Sequence, residues 1–406
     1  MIEKLIEKFY SAASMQRWND HIRPVEFIEL DKQAHKMVIA YVLAKMEDDR
    51  RKDIGQDPIK WLDLIEGFIF EFLQRIVLTD IKPPVFHKIL AEKKNELNKH
   101  VLKELKPVLE DLNNQEFEQK FENFLSNSPI NIETKILRAA HYLATNWEFK
   151  IIYKTAPYIY GIERRKEKIE NKIEDHYDLI GVQKILLGKK SYGFVDLCGQ
   201  LRFQKRWAQS PRIPETSVLG HMLIVAMTSY FCTITMKDSP CDKRIYNNFF
   251  AGLFHDLPEV LTKDIISPVK KSVSELDEII KECETNLIDL KLLELLPKQW
   301  HMEIKYFTEN EFENRITGNN KLSKISFKEL NSKFNEDKFS PIDGELIYAC
   351  DKLAAFVEAK LSIRHGITSK ALENGLESIY NEFKDKKISG TDFGLLFDNL
   401  SDLIDN

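Results

Sequence analysis

The stretch FAGLFHDLPEVLTKDI, residues 250–265, places a histidine and an aspartate side by side in an otherwise apolar segment. His221 lies 34 positions before His255, and Asp351 lies 95 positions after Asp256, each on an apolar run of its own. An unpaired carboxylate costs several kcal/mol to bury, roughly the penalty of an uncompensated ion. A divalent metal that binds two imidazoles and two carboxylates removes this cost for all four side chains. The pattern therefore predicts a metal site.

The residues before this dipeptide predict a helix that ends at the site. Apolar side chains recur there at helical spacing, namely Ile245, Phe249, Phe250, Leu253 and Phe254. Pro258 suits the first turn of a following helix, with Asp256 or Leu257 just before it. We therefore expect His255 and Asp256 at a helix end, where side chains from several helices can converge.

The composition predicts an all-α protein with large cores. The chain has 406 residues, which is enough for two to three domains. Its content of 43% hydrophobic and 30% charged residues is ordinary for a globular protein. Only 15 glycines and 14 prolines are present, which favours long helices over an all-β fold with many turns.

The composition also limits location and partners. The net charge of -5 shows no nucleic-acid-binding tract, so no nucleic-acid partner is expected. The five cysteines form no CxxC pair, which is typical of reduced thiols and predicts a cytoplasmic protein. The segment MIEKLIEKFY predicts an amphipathic helix rather than a signal peptide. No apolar run approaches the roughly 18 residues that a membrane span needs, so no membrane partner is expected.

The sequence repeats itself at long period. Four blocks recur in the same order: MQRW with QKRW, KQAHKMVIAYVLA with VLGHMLIVAMTSY, EGFIFEFLQRIVLTDIKPPV with AGLFHDLPEVLTKDIISPV, and RAAHYLATNWEFK with YACDKLAAFVEAK. In this alignment His35 matches His221. The repeat predicts a tandem duplication, with one domain over residues 1–180 and a second over residues 181–406.

Two polar segments are expected to connect or interrupt these domains. The charge run GIERRKEKIENKIEDH, residues 161–176, predicts a solvated linker helix. The polar stretch 308–342 predicts an inserted loop, with or without a short helix.

The order of polar residues in the second domain resembles the HD-domain phosphohydrolases, and most closely the bacterial HD-domain 5'-deoxyribonucleotidases. A bare His-Asp dipeptide is weak support, whereas the full ordered set is specific and covers most of residues 200–365. The set consists of Arg206-Trp207, His221, His255-Asp256-Leu257-Pro258-Glu259, Val260-Leu261-Thr262, Asp264, Pro268-Val269-Lys270 and Asp351.

The resemblance implies one divalent metal ion held by His221, His255, Asp256 and Asp351. Mixed imidazole and carboxylate ligands suit manganese, cobalt, iron, nickel or zinc, and magnesium is a further candidate.

The resemblance also implies roles for four other residues. Glu259 would transfer a proton to or from the water or the leaving group. Arg206 would bind the 5'-phosphate through its guanidinium group. Trp207 would shape the sugar pocket, and Asp264 would contact a sugar hydroxyl or support the metal ligands. Each residue alone has an ordinary structural interpretation, for example a cation–π pair for Arg206-Trp207, and it is the ordered set that favours a site.

The first domain lacks several of these residues. The block alignment places Glu71-Phe72 at His255-Asp256, Arg75 at Glu259 and His141 at Asp351. Phenylalanine cannot bind a metal, and a cation at the Glu259 position would repel one, so a degenerate domain kept for packing is the first hypothesis.

Two alternatives remain for the first domain. His35, Glu71 and His141 form a two-histidine, one-carboxylate ligand type, or the domain binds a nucleotide through Arg17 without hydrolysing it. The resemblance also implies that single-domain members of the family form homodimers. We therefore expect the two domains of this chain to pack as an intramolecular pseudo-dimer.

These expectations favour a metal-dependent phosphohydrolase with a nucleotide substrate, above all deoxyribonucleoside 5'-monophosphates. One alternative is a hydrolase of nucleoside triphosphates or signalling nucleotides. Another is a nucleotide-sensing or scaffold protein with weak activity. The HDxxE motif with Arg206-Trp207 upstream favours the monophosphate, whereas the 308–342 insertion and the extra domain keep the alternatives open.

Overall fold

The computed structural model describes residues 2–79, 81, 83–127, 130–263, 276–318 and 321–405. Helices dominate these residues, and their strands form only short two-stranded ribbons, so the predicted all-α class is confirmed. The described residues form two compact units, Lys8–Val195 and Asp196–Asp405, and the second unit also includes Ile2–Glu7. Their division lies later in the chain than the boundary at 180 that the repeat predicted. Among the described helices none has the length and apolarity of a membrane span.

The first unit is organised around one helix that is buried on all sides. Every residue from Ala34 to Ala44 on this helix is buried, as expected for a core helix rather than a surface helix. The helices are α1 (Glu3–Ser14), α2 (Glu29–Asp53, the buried one), α3 (Trp61–Leu78), α4 (Pro83–Glu110), α5 (Gln115–Ser126), α6 (Ile132–Thr155), α7 (Ile162–Glu174) and α8 (Ile180–Leu186). The strands β1 (Gln16–Arg17) and β2 (Phe27–Ile28) pair antiparallel just before α2.

The charged segment 161–176 is largely exposed and forms a helix, as the sequence predicted, but it belongs to the first unit and is not a linker between domains. It forms α7, which lies within the first unit and packs against α6. Ile162, Ile169 and Ile173 are buried, and their spacing places them on one stripe of the helix. Three apolar residues at helical spacing are enough to anchor a helix whose other faces are charged.

The second unit is built on two long buried helices. The helices are α9 (Lys190–Gln200, which begins in the first unit), α10 (Val218–Ile234), α11 (Asp242–Phe254), α12 (Glu259–Thr262), α13 (Leu276–Leu287), α14 (His301–Thr308), α15 (Phe327–Lys333), α16 (Gly344–Arg364), α17 (Lys370–Phe383) and α18 (Phe393–Asp405). α10 packs along α11 and against α16, and α17 and α18 cover α16. α10 and α16 are apolar around most of their surface and form the core.

The polar stretch 308–342 is more ordered than the loop that the sequence predicted. It contains an antiparallel hairpin of β3 (Arg315–Gly318) and β4 (Lys321–Lys324), followed by α15. Arg315 is buried and donates hydrogen bonds to the carbonyl oxygens of Tyr306 and Glu313. Hydropathy treats an arginine as a surface residue, so the sequence gives no sign that this one organises the segment. A second short ribbon, β5 (Lys387–Ile388) with β6 (Thr391–Asp392), lies before α18.

A buried ion pair joins the starts of α11 and α16. Arg244 donates from Nε to Asp343 Oδ2 at 2.7 Å and from Nη2 to Asp343 Oδ1 at 2.8 Å. Asn248 Nδ2 donates to Asp343 Oδ2 at 2.8 Å, and neither residue of the ion pair is exposed. Two of the three helices that hold the site described below therefore share one charged anchor.

Asp343→Ala should lower the free energy of unfolding by about 3–5 kcal/mol, because it leaves the buried Arg244 without its counter-charge. Denaturant titration followed by circular dichroism measures the change. Glu336→Ala is the matched control, because its pair with Lys338 is exposed and is worth at most about 1 kcal/mol. Equal stability of the two variants would show that the anchor contributes little.

Candidate metal centre

Three helices of the second unit bring polar side chains to one point. His221 lies on the first turn of α10, His255 directly follows α11, and Asp351 lies near the middle of α16. Ser217 begins α10 by accepting a hydrogen bond from Gly220 N at 2.9 Å, which fixes the start of the helix one turn before His221. All three candidate ligands are buried.

Gly252 allows α10 and α11 to approach closely. A Cβ at this position would lie 2.8 Å from Ala226 Cα, so any other residue would force the helices apart. This close approach near the end of α11 brings the His255 ring centroid to 5.5 Å from that of His221.

The structure places all four predicted ligands close together. His221 Nε2 lies 2.9 Å from Asp351 Oδ1 and 3.9 Å from Asp256 Oδ2. His255 Nε2 lies 3.2 Å from Asp256 Oδ2. One donor atom each from His221, His255 and Asp351 fall within 4.8 Å of one another, a spacing at which a single ion can contact all of them.

The hydrogen bonding of His255 suits a metal ligand. Its Nδ1 lies 2.8 Å from the Gly252 carbonyl oxygen and donates to it, so in the neutral form of the ring, the form that binds a metal, the lone pair is on Nε2. Nε2 is buried and forms no hydrogen bond within the described part of the chain. A cation between this lone pair and the facing carboxylate would satisfy both groups. In addition, metal-binding histidines usually donate their other ring nitrogen to a carbonyl or carboxylate oxygen, as His255 does.

The charges of the centre are also suited to a cation. Burial opposes ionisation of Asp351, but Lys352 and His221 hold the pKa of this carboxyl well below its ordinary value. Burial is likewise outweighed at Asp256, where His255 is the main cause of a lowered pKa. Burial lowers the pKa of His255, and Asp256 more than reverses this and raises it to about 8. Both acids are therefore carboxylates, which is the form that binds a metal.

Arg206 lies beside the candidate ligands. Its Nη1 is 3.6 Å from Asp256 Oδ2 and its Nη2 is 3.8 Å from Asp351 Oδ1. Its Nε lies 3.3 Å from Glu358 Oε2 on the opposite side. The guanidinium is thus held through Nε while its two terminal nitrogens face the centre.

The four candidate ligands lie in a segment of the chain that matches a known family. Residues 198–380 match the model of a family described as an HD domain.

The second unit contains an HD domain.

The family resemblance predicted from the ordered motif is thereby confirmed for this segment. The chain is also similar to a 5'-deoxynucleotidase of Vibrio atlanticus (strain LGP32), with 26% identity over 121 residues. The match covers 29% of this chain and 61% of that relative, so the chain spans about three-fifths of the length of the curated relative. The family match does not extend into the first unit, and the tandem duplication stays a prediction.

Glu358 is a residue of the HD domain that sequence reasoning missed. It is fully buried on α16, two turns after Asp351, and it accepts from Trp207 Nε1 at 3.0 Å and from Thr216 Oγ1 at 2.6 Å. Burial opposes its ionisation, but Arg206 and then Arg212 lower its pKa below the ordinary range. Its Oε1 also lies 3.7 Å from His221 Nδ1, so the carboxylate that holds Arg206 also faces the imidazole. The signal was present in the repeat, where WEFK matches VEAK.

The structure positions Trp207 through two contacts. Its backbone adopts a left-handed conformation with φ of 57°, and its indole nitrogen is held by Glu358. A Cβ at Gly375 on α17 would lie 2.7 Å from the Trp207 ring, so glycine is needed there for the indole to approach the helix this closely. Trp207 is therefore fixed beside Arg206, where the sequence predicted it would shape a pocket.

Glu259 and Asp264 follow the His255-Asp256 pair. Glu259 is buried and is the first residue of α12, and its carbonyl oxygen accepts from Gln204 Nε2 at 3.1 Å. This bond ties α12 to the segment that leads into Arg206. Asp264 lies in residues 264–275, outside the described residues, together with the Pro268-Val269-Lys270 part of the motif.

In both units a short antiparallel pairing precedes the buried helix. These pairings align the two units in a different register from the one that the repeat predicted. Gln16 pairs with Ile28 just before α2, as Lys205 pairs with Ser217 just before α10. Counting from these pairs places Lys32 at the position of His221.

The repeat predicted that His35 is the counterpart of His221, and this register places Lys32 there instead. His35 Nε2 lies 2.9 Å from the Val195 carbonyl oxygen, and its ring packs edge-on against Trp147, as in a core histidine. The alignment erred because His35 lies one turn after Lys32 on the same apolar face, and a shift of three positions preserves the helical pattern.

Fixed side chains occupy the corresponding centre of the first unit. Lys32 Nζ lies 2.6 Å from His141 Nδ1, where the second unit pairs His221 with Asp351. Arg17 Nε donates to Glu148 Oε2 at 3.0 Å, and Trp18 Nε1 donates to the same oxygen at 2.8 Å. This repeats the arrangement of Arg206, Trp207 and Glu358 in the second unit.

The alternatives for the first unit find no support in this geometry. Glu71 forms an ion pair with Lys36 rather than joining His35 and His141. Burial, followed by Lys32 and Lys36, lowers the pKa of His141, so nearby cations oppose a metal there. Arg17 differs from Arg206 in that its Nη1 is closely paired, at 2.8 Å, with the buried carboxylate of Glu29, which disfavours a phosphate at this position.

We therefore expect one tightly bound transition metal per chain. His141→Ala should leave metal content and activity nearly unchanged, whereas Asp351→Ala should empty the centre. Elemental analysis of the purified protein measures both, with thermal melting to check that each variant is folded. Two metals per wild-type chain would contradict the assignment and would revive the site of His35, Glu71 and His141.

Proposed function

We propose that this protein is a metal-dependent phosphohydrolase that releases phosphate from nucleotides, above all from deoxyribonucleoside 5'-monophosphates. The observation that best supports it is the buried cluster of His221, His255 and Asp351, with the half-buried Asp256 beside it and Arg206 facing both carboxylates. The HD-domain match and the name of the Vibrio relative support the reaction class and the substrate class.

The residues of the centre suit the binding of a phosphate ester. His221, His255, Asp256 and Asp351 would hold a divalent ion, which supplies charge neutralisation at the phosphoryl group and an acidified water. Arg206 presents Nη1 and Nη2 to the same place and can donate to two phosphate oxygens. Because Glu358 holds its Nε, the guanidinium keeps this orientation before substrate arrives, so little ordering is needed on binding.

The hydrolysis itself needs a proton-transfer group. A water oxygen forms the new bond to phosphorus, the bond from phosphorus to the 5' oxygen breaks, and that oxygen leaves with a proton as a nucleoside hydroxyl. Glu259 is the proposed proton carrier, since it is a buried acid four positions after His255. Trp207, fixed beside Arg206, would border the sugar, and Asp264 would contact a sugar hydroxyl.

A panel of phosphate esters tests the proposal. Phosphate release is measured with deoxyribonucleoside and ribonucleoside monophosphates, nucleoside triphosphates and cyclic nucleotides, each with manganese, cobalt and magnesium. We expect release from the deoxyribonucleoside monophosphates with at least one transition metal. Faster release of triphosphate or pyrophosphate from nucleoside triphosphates would favour the first alternative, and nucleotide binding without turnover would favour a sensor.

A further inference from the structure

The second unit contains an open cavity of about 410 Å³ beside the candidate metal centre. Its volume lies in the range of small-molecule sites and well above the few water-sized voids of a packed core. The cavity is lined by Phe312, Glu345, Tyr348, Phe383, Lys386 and Ile388.

The cavity lies next to the metal centre, because two of its lining residues are near the candidate ligands. The ring of Phe312 lies 6.2 Å from that of His255 and 5.1 Å from that of Tyr348, measured between centroids. Lys352 Nζ lies 2.8 Å from Asp351 Oδ2 and 5.0 Å from the Tyr348 ring centroid. Tyr348 precedes Asp351 by three residues on α16, so both side chains lie on one face of the helix. A molecule bound at the metal centre by one end can therefore extend its other end toward the cavity.

The chemistry of the walls suits a planar heteroaromatic ring. Phe312 and Tyr348 are half-buried and offer aromatic surfaces, whereas Phe383 is fully buried behind them and packs against Phe397, with ring centroids 5.5 Å apart. Glu345 adds a hydrogen-bond acceptor and Lys386 a donor. Stacking surfaces with one acceptor and one donor are typical of sites that bind nucleobases.

The cavity is not a feature of the HD domain alone. Phe383, Lys386 and Ile388 lie after residue 380, where the family match ends. They belong to the end of α17 and to the β5 ribbon, which α18 supports through the contact between Phe383 and Phe393. The C-terminal part of the chain therefore completes a wall next to a centre that the HD domain supplies.

We propose that this cavity binds the base of the nucleotide whose phosphate lies at the metal centre. The inference rests on the proposed function for the position of the phosphate. It identifies Tyr348 and Phe312 as stacking surfaces and makes the nucleobase, rather than the sugar phosphate alone, a determinant of substrate choice.

Two cavity variants and two substrates test this inference. Ile388→Trp fills the cavity from its rim, and Tyr348→Leu removes a stacking surface. Each variant should lower kcat/KM for deoxyadenosine 5'-monophosphate by about 5- to 150-fold, the effect of losing one base–aromatic stack. Deoxyribose 5-phosphate, which has no base, should be hydrolysed at the wild-type rate. Met302→Trp is the matched control, because it adds the same side chain at an exposed position away from the cavity.

The outcomes separate this inference from the proposed function. Equal losses for the two substrates, or no loss with either variant, would overturn the base site while leaving the hydrolase intact. If the wild-type protein hydrolyses neither substrate, binding of deoxyadenosine 5'-monophosphate is measured by calorimetry. Binding that Ile388→Trp weakens would then support the cavity alone, and binding that neither variant changes would overturn it.

Discussion

Asp256→Ala should abolish both metal retention and turnover. Its carboxylate oxygen Oδ2 lies 3.9 Å from His221 Nε2, 3.2 Å from His255 Nε2 and 3.6 Å from Arg206 Nη1, so it is placed to share one ion with both imidazoles. Loss of this ligand leaves an imidazole-rich site with one carboxylate, which holds a divalent ion far less tightly. We expect metal content near zero by elemental analysis and phosphate release at the background rate.

Asp242→Ala provides the matched control for this variant. Asp242 is an exposed aspartate in the first turn of α11, the helix that ends at His255. Its loss removes a favourable interaction with the helix dipole worth at most about 1 kcal/mol and should leave metal and activity in place. Full activity of Asp256→Ala would refute the metal centre and with it the proposed function.

Glu259→Gln should retain the metal but lower kcat by about 10²–10⁴-fold, the usual contribution of a proton-transfer group. Glutamine preserves the shape of the side chain and cannot exchange a proton, so binding and folding should change little. Steady-state kinetics on metal-loaded protein, with metal content measured in parallel, separates the two effects. Glu294→Gln, an exposed glutamate of the same unit, is the control. A wild-type rate for Glu259→Gln would show that another group transfers the proton.

The sequence predicted the parts of the centre that have a local signature. His221 and Asp351 stand out because each is a polar residue on an apolar helix, and the His255-Asp256 pair stands out because it ends an apolar periodicity. Helix ends and apolar faces are determined by residues close together in the chain, so they can be predicted from one sequence.

Long-range contacts were not predictable in the same way. Glu358 looks like any helical glutamate, and its burial depends on Thr216 and Trp207, which are more than 140 positions away. The three-residue error at His35 has a related cause. Apolar periodicity fixes the face of a helix but not its register, and only the pairing of the preceding strands in the structure fixed the register at Lys32.

The centre of the first unit has a thermodynamic consequence. Its carboxylates Glu29, Glu71 and Glu148 are paired with Arg17, Lys36 and Arg75, and all of these groups are attached to the same chain. The second unit would instead complete its cluster with an ion from solution, and a ligand that binds only the folded state adds about 2.7 kcal/mol of stability at 100 times its dissociation constant. One half of this protein therefore carries its counter-charges within its own chain, whereas the stability of the other half would depend on the metal concentration of its surroundings.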